Sequence, residues 1–412
     1  MRPGDLNATG GLLSGNTVAI NSTGEVRNGG TILGRTVLEI NANTINNLGD
    51  QIAADDVKLT ARQDINVTGG SVIGQNSLSA LADKDINVTS TTASTQGGSG
   101  NYTYSRSGLD RMAGLYVAGP GTLLASAGND LNIIGATIQS AGNTQLSAGN
   151  TVNLGTLQTS QSNNVGAGDA KNHLLTSQTS DVGSTVKAGQ ALTISAGQNV
   201  IAKAANLQAQ GDVAIAAQGT VLLNAGQTRS SYDAVLTKSS SDLISSTTTR
   251  TQTQASAATA QVSKVQGQNV NIVAGQNLIS VGTQFKGTDS LRVEGKDTST
   301  FYAATNVHQS TTTVQSTTTL SGLAALGDHL GLSQLVPLEK KESSDAIATS
   351  TSIGTRLLSD KKIEIGVGNK TELQGAKVEA QQIAFVQTDP NKTGDTRGLS
   401  IQVDLTICSG DC

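Results

Sequence analysis

The stretch "AGNDLNIIGATIQSAGNTQLSA" (127–148) comes back along the chain, and this recurrence limits the fold more than any other feature. It returns as "AGQNVIAKAANLQAQGDVAIAA" from Ala196, as "AGQNLISVGTQFKGTDSLRVEG" from Ala274 and more faintly as "VGNKTELQGAKVEAQQIAFVQT" from Val367. An earlier relative, "ARQDINVTGGSVIGQNSLSALA", starts at Ala61, so successive starts lie 66, 69, 78 and 93 residues apart. The unit keeps its length while the spacers change. A unit this short cannot bury a core alone, so the copies must stack on one another.

Inside each copy the apolar residues alternate over a few positions, as in Leu131/Ile133, Val213/Ile215 and Leu291/Val293, and the pulses are cut by "AGN", "AGQ" or "QGD". That pattern predicts short strands joined by tight turns, where Gly and Asn accept positive φ. A seven-residue step recurs: Ile65 to Val72, Leu131 to Ile138, Val200 to Leu207 and Leu278 to Phe285. The first 90 residues show a shorter beat, with Leu13, Leu33, Ile52 and Ile73 separated by 20, 19 and 21 residues and "DINV" repeated 21 residues apart. A period of about 20 residues predicts one coil of a parallel β-helix, right-handed by the crossover rule. A leucine-rich repeat is the rival at this period, but its L-x-x-L-x-L-x-x-N spacing is not sustained.

Composition agrees with a narrow core. The 412 residues include 47 Gly, no Trp and only 2% aromatics, and 14% are charged. A wide globular core needs bulky aromatics, whereas a thin solenoid interior is filled by Val, Ile and Leu. With only 4 Pro and few charges, the chain also lacks the usual mark of disorder. A net charge of −4 without a basic run excludes a nucleic-acid groove. No apolar run approaches the roughly 18 residues of a membrane helix. No signal peptide opens the chain, and "MRPGDLNATGG" reads as an interior stretch, a fragment boundary.

Between the copies lie Ser/Thr-rich inserts at about 89–120, 159–187, 228–265 and 298–358. Thr favours strands, so hairpins or extended arms are expected there, with disordered loops as the alternative. Within the last insert Leu320, Leu323, Leu326 and Leu330 fit a short helix ending at Pro337. Glu339-Lys340-Lys341-Glu342 reads as a solvated turn. The division expected is 1–90, short coils; 91–390, longer repeats with arms; and 391–412, an amphipathic strand and tail in which Leu399, Ile401, Val403, Leu405 and Ile407 share one face and dock on the β-helix, as a cap over the last coil or as a strand paired with the neighbouring arm.

Candidate chemistry is sparse. Asp55-Asp56 is the only adjacent acidic pair and reads as two turn carboxylates. His173, His308 and His329 are scattered through the inserts without metal-ligand spacing. Tyr102 and Tyr104 could touch glycans but read as strand residues. Cys408 and Cys412 could close a small terminal disulfide. No catalytic, cofactor-binding or metal residues are assigned and no cofactor is expected. The rival function, a carbohydrate-active β-helix enzyme, would need convergent carboxylates and aromatic sugar platforms.

The segment "SAGNDLNIIGATIQSAGNTQLSAGNTVNL" resembles the haemagglutinin repeats of filamentous haemagglutinins, large exoproteins of bacterial two-partner secretion, and of the stalks of contact-dependent growth inhibition toxins. The resemblance covers about residues 10–390. It implies a secreted, cell-surface β-helix serving adhesion or toxin delivery. The implied partners are a host or neighbouring-cell surface, and an outer-membrane secretion partner engaged through a domain absent from this chain.

Overall fold

The computed structural model describes residues 6–166, 169–242, 245–320, 339–387 and 399–402, and every regular element among them is a β-strand. The strands form two hydrogen-bonded sheets. One is a continuous parallel ladder of 29 strands and the other an antiparallel sheet of eight.

The parallel ladder is a β-helix with three faces. On the first face one inward position runs Leu13–Ile32–Ile52–Val72–Leu115–Ile138–Val186–Leu207–Val265–Phe285–Leu357–Val378. From Ile32 to Val378 no member is more than 3% exposed, whereas Leu13, in the first coil, is in register but 40% exposed. Ile138, Leu207 and Phe285 thus occupy equivalent inward positions, as the repeat predicts. Leu33 and Ile73, used above to measure the short beat, sit one residue off this row and are half-buried on its outer side. The period was right and the phase was wrong, because two adjacent aliphatics at each pulse hide which one points inward.

Two further inward rows fill the second and third faces. Ile40, Leu59, Ala80, Ala125, Leu146, Ile194, Ile215 and Ile272 follow one another on the second. Ile45, Ile65, Ile86, Leu131, Val152, Val200, Val221 and Leu278 do so on the third. Phe285 and Phe301, the two buried phenylalanines, meet edge to face at 6.5 Å, and the small Ser280 and Ser299 beside them are also buried. This alternation of large and small side chains fills the interior without widening it.

Two polar devices hold the stack. Asn66 donates to Asn46, Asn87 to Asn66, Asn132 to Asn87 and Asn153 to Asn132, at 2.7 to 3.3 Å, along the outer side of the third face. At the end of the second face the alanines of the "AGN" and "AGQ" motifs, Ala127, Ala148, Ala196 and Ala274, lie in one buried row. The glycine that follows has no room for a Cβ. One on Gly149 would fall on the Gly128 carbonyl oxygen, and one on Gly197 on that of Gly149. The motif recurs because stacked backbones touch there.

The unequal spacing of the copies is explained at the corner between the third and first faces. In the five copies this corner turns on one residue with positive φ: Gly69, Gly135, Ala204, Gly282 and Gly375. In the coil between each pair of copies a hairpin leaves from the same corner. The four hairpins are Thr92–Ser99 with Tyr102–Leu109, Leu157–Val165 with His173–Val182, Gly226–Ser241 with Ser245–Gln261, and Ala304–Leu320 with Glu339–Ile353. The copies are therefore the armless coils, and the chain between them is one coil plus one arm.

The arms pair side by side into the eight-stranded sheet. The pairing follows from spacing. Coils and strands both repeat at about 4.8 Å, so arms rooted on every second coil stand about 10 Å apart, the width of one two-stranded hairpin.

Leu320 ends an arm strand, and Leu323, Leu326 and Leu330 lie outside the described residues. Leu399–Gln402 pairs in parallel with Lys370–Gln374 as the next rung of the third face. Val403, Leu405, Ile407, Cys408 and Cys412 lie outside the described residues. Glu339-Lys340-Lys341-Glu342 is not a turn: it opens the exposed outermost strand of the arm sheet. Asp55-Asp56 likewise lies in the strand Gln51–Ala61, at a register shift, with Asp56 accepting from the Ser77 hydroxyl at 2.6 Å. Both sites carry polar residues of the kind found in turns, but ladder pairing overrides that local preference.

Candidate functional site

An arm leaving a ladder interrupts it, and the buried backbone groups at the gap need partners. One buried hydroxyl serves at each root. Ser90 accepts the Ala113 amide at 2.9 Å and donates to the Gly135 carbonyl at 2.7 Å. Ser184 donates to the Ile133 carbonyl at 2.7 Å, and Ser263 to that of Asn224 at 2.6 Å. Thr355 donates to the Tyr302 carbonyl at 2.7 Å. Ser184, Ser263 and Thr355 stand two residues before the inward ladder position, a place taken by Ala136, Ala205 and Ala376 in three armless coils but by Thr283 in the armless coil of Phe285 and by Ala113 in the first armed coil. The residue type at this place therefore does not mark the arm-bearing coils in the sequence.

A carboxylate ties the second arm to the third. Asp181, buried at the end of the second arm, accepts the Gln227 amide at 2.9 Å and pairs with Lys203 at 2.8 Å. Lys203 comes from the armless coil between them, so three consecutive coils meet at this group. Glu294, which pairs with Arg292, is also buried, and the remaining ion pairs lie at the surface. Lys361 and Gln268 hydrogen-bond Asp289, and Lys370 hydrogen-bonds Glu372, holding both carboxyls below their usual range. Such surface pairs add little stability.

The arm sheet is one layer thick. Of its large aliphatic side chains only Val235 is buried among the described residues. Its two faces differ. One carries a row of serines, Ser105–Ser162–Ser177–Ser231–Ser256. The other carries the row Tyr104–Asn163–Thr176–Tyr232 and, two residues nearer the coils, Arg106–Gln161–Gln178–Ser230–Ala257–His308. Tyr102 lies on this second face too; its hydroxyl donates to Asn163 at 3.1 Å and its ring stands 5.8 Å from that of Tyr104. The Arg106 guanidinium sits 5.4 Å from the Tyr104 ring centroid. A shallow depression of ≈ 270 Å³ crosses this face between Gln161 and His308, with Tyr232 in its wall.

Three of the five tyrosines thus share one face of the arm sheet. The sequence showed Tyr102 and Tyr104 as neighbours, but Tyr232 is brought beside them only by pairing between arms. His173 lies on the opposite face, 3.8 Å from Asp233, so the structure keeps it apart from His308. His329 lies outside the described residues. Among the described residues no three His, Cys, Asp or Glu side chains group as metal ligands, and no helix is long and apolar enough to cross a membrane.

These features define a solenoid scaffold, a parallel β-helix that displays a lateral sheet of hairpins. The chain belongs to the hemagglutinin repeat family, whose model matches residues 39–109, 165–246 and 244–386. It is similar to a protein of Burkholderia pseudomallei (strain 1026b) named tRNA nuclease CdiA-2, with 25% identity over 377 residues, which is 90% of this chain and 11% of that relative. No solved structure matches.

Proposed function

We propose that this chain is a stalk segment of a large secreted exoprotein that stands on a bacterial surface and meets a host or neighbouring cell, for adhesion or for contact-dependent delivery of a toxin. The observation that carries this reading is the uninterrupted inward ladder from Ile32 to Val378. It makes a rod about 50 Å long over which the apolar core never widens into a cleft. The armless coils of residues 1–90 act as spacer, the armed coils of 91–390 present the lateral sheet, and 391–412 is the tail. Secretion uses an outer-membrane partner engaged through a domain outside this segment. The tRNA nuclease activity in the relative's name is not assigned to this segment, which spans 11% of that relative.

The purified chain should decorate cells in a binding assay, image as short rods and leave tRNA intact. Cleavage of tRNA by the chain itself, the absence of cell binding, or a compact globular image would overturn the reading.

A further inference from the structure

We propose that the tyrosine-bearing face of the arm sheet binds an acidic oligosaccharide. In a sheet one layer thick no packing partner requires aromatics on one side, yet Tyr102, Tyr104 and Tyr232 all stand there and the opposite side is a row of serines. Tyr104 and Tyr232 are three strands apart, about 14 Å, in the same row. Asn163 and Thr176 fill the interval, and Gln161 and Gln178 lie alongside, hydrogen-bonded to each other at 2.6 Å. This is a strip with an aromatic ring at each end and amides between.

The chemistry matches a sugar chain better than a protein. The depression sets the amides of Gln161, Asn163 and Gln178 against apolar surface from Tyr232, Ala255 and Ala257, so polar groups that orient a ligand lie beside a face that takes C–H groups. A pyranose offers a C–H face to a tyrosine ring and hydroxyls to amides that both donate and accept. The sign of charge selects the acidic class. The residues lining the depression include no carboxylate, and Arg106 beside Tyr104 presents a planar fork suited to a carboxylate. Tyr232 is 41% exposed and free to stack.

This inference rests on the surface-contact reading and names its ligand. The test is calorimetric titration of the full chain with hexagalacturonate, with maltohexaose as the neutral probe. We expect binding of hexagalacturonate alone, weakened by salt and at least tenfold weaker in Tyr232→Ser and in Arg106→Gln, both melting like the parent, while Ser105→Ala on the opposite face binds unchanged. Equal binding of both probes, binding of neither, or equal loss in Ser105→Ala would overturn it. Cell binding measured in parallel separates the two readings. If it persists after periodate oxidation of surface glycans, the glycan inference fails and surface contact stands. If hexagalacturonate binds but no cells do, surface contact fails instead.

Discussion

The coil and the arm sheet are built of the same strand geometry and are held by different forces. In the coil each strand turns Val, Ile or Leu inward, and every rung buries aliphatic area against the rungs above and below, at roughly 25 cal/mol per Å². In the arms both faces meet solvent, and what remains is backbone hydrogen bonding and cross-strand pairs such as Ser177–Ser231 at 2.7 Å and Thr253–Thr312 at 3.3 Å. Two-stranded hairpins of this kind are marginal alone. The comparison teaches that a polar sheet can be stable without a core if a solenoid sets its strands at the right spacing.

The largest expected effect comes from attacking the coil. Leu207→Asp places an unpaired carboxylate in the ladder, where Leu207 is 1% exposed. It should cost upwards of about 4 kcal/mol, and a thermal melt with no loss would refute the inward ladder. A cut in the spacing should break the arms while sparing the coil. Deleting residues 193–213 removes one coil, because Leu192 and Val213 are ladder partners. The second and third arms then stand one coil apart and cannot both fit. Limited proteolysis should open residues 157–182 and 226–261 while the rest stays protected; unchanged protection there would mean that spacing does not govern arm pairing.

Asp181→Ala tests the junction between the two regions. It leaves the Gln227 amide and Lys203 without their shared partner and should cost about 2 kcal/mol. Hydrogen exchange should quicken at the roots of the second and third arms before it does so in the coil. Smaller changes probe imperfections of the ladder itself. Thr144 stands in an inward row between Leu123 and Leu192, and its hydroxyl has no partner. Thr144→Val should therefore raise stability by about 1 kcal/mol in chemical denaturation. Ala204, at φ 49, occupies the corner that is glycine in the other four copies. Ala204→Gly should stabilise by less than about 1 kcal/mol, since relief of the left-handed strain is partly offset by the freedom glycine gives the unfolded chain. A loss of melting temperature would show that the corner is not strained.

The interior was legible because its signal is periodic and local. Alternation in "DLNII" or "DVAIA" marks the inward residues, and the recurrence of "AGN" and "AGQ" marks a turn where stacked backbones leave no room for a Cβ. The phase was less legible where two aliphatics adjoin, as at Ile32–Leu33, since a one-residue slip exchanges inside for outside. The candidate site was hardly legible at all. Tyr104 and Tyr232 are far apart in the chain, and nothing in either segment states that they share a row.

By itself the sequence determined the class of fold: short strands of alternating aliphatics, closed by glycine corners, can bury their apolar side only by stacking. It also favoured strands in the Ser/Thr-rich inserts, apart from the leucine run of the last one. Only the tertiary structure decided that the copies are alternate coils, that the hairpins leave from one corner and that they join into a single sheet. The reason is that strand pairing depends on the distance between roots along the helix axis, which is a count of coils and not a property of any segment. It likewise decided where Glu339-Lys340-Lys341-Glu342 lies, since a run of charges that suits a turn is equally suited to an exposed edge strand.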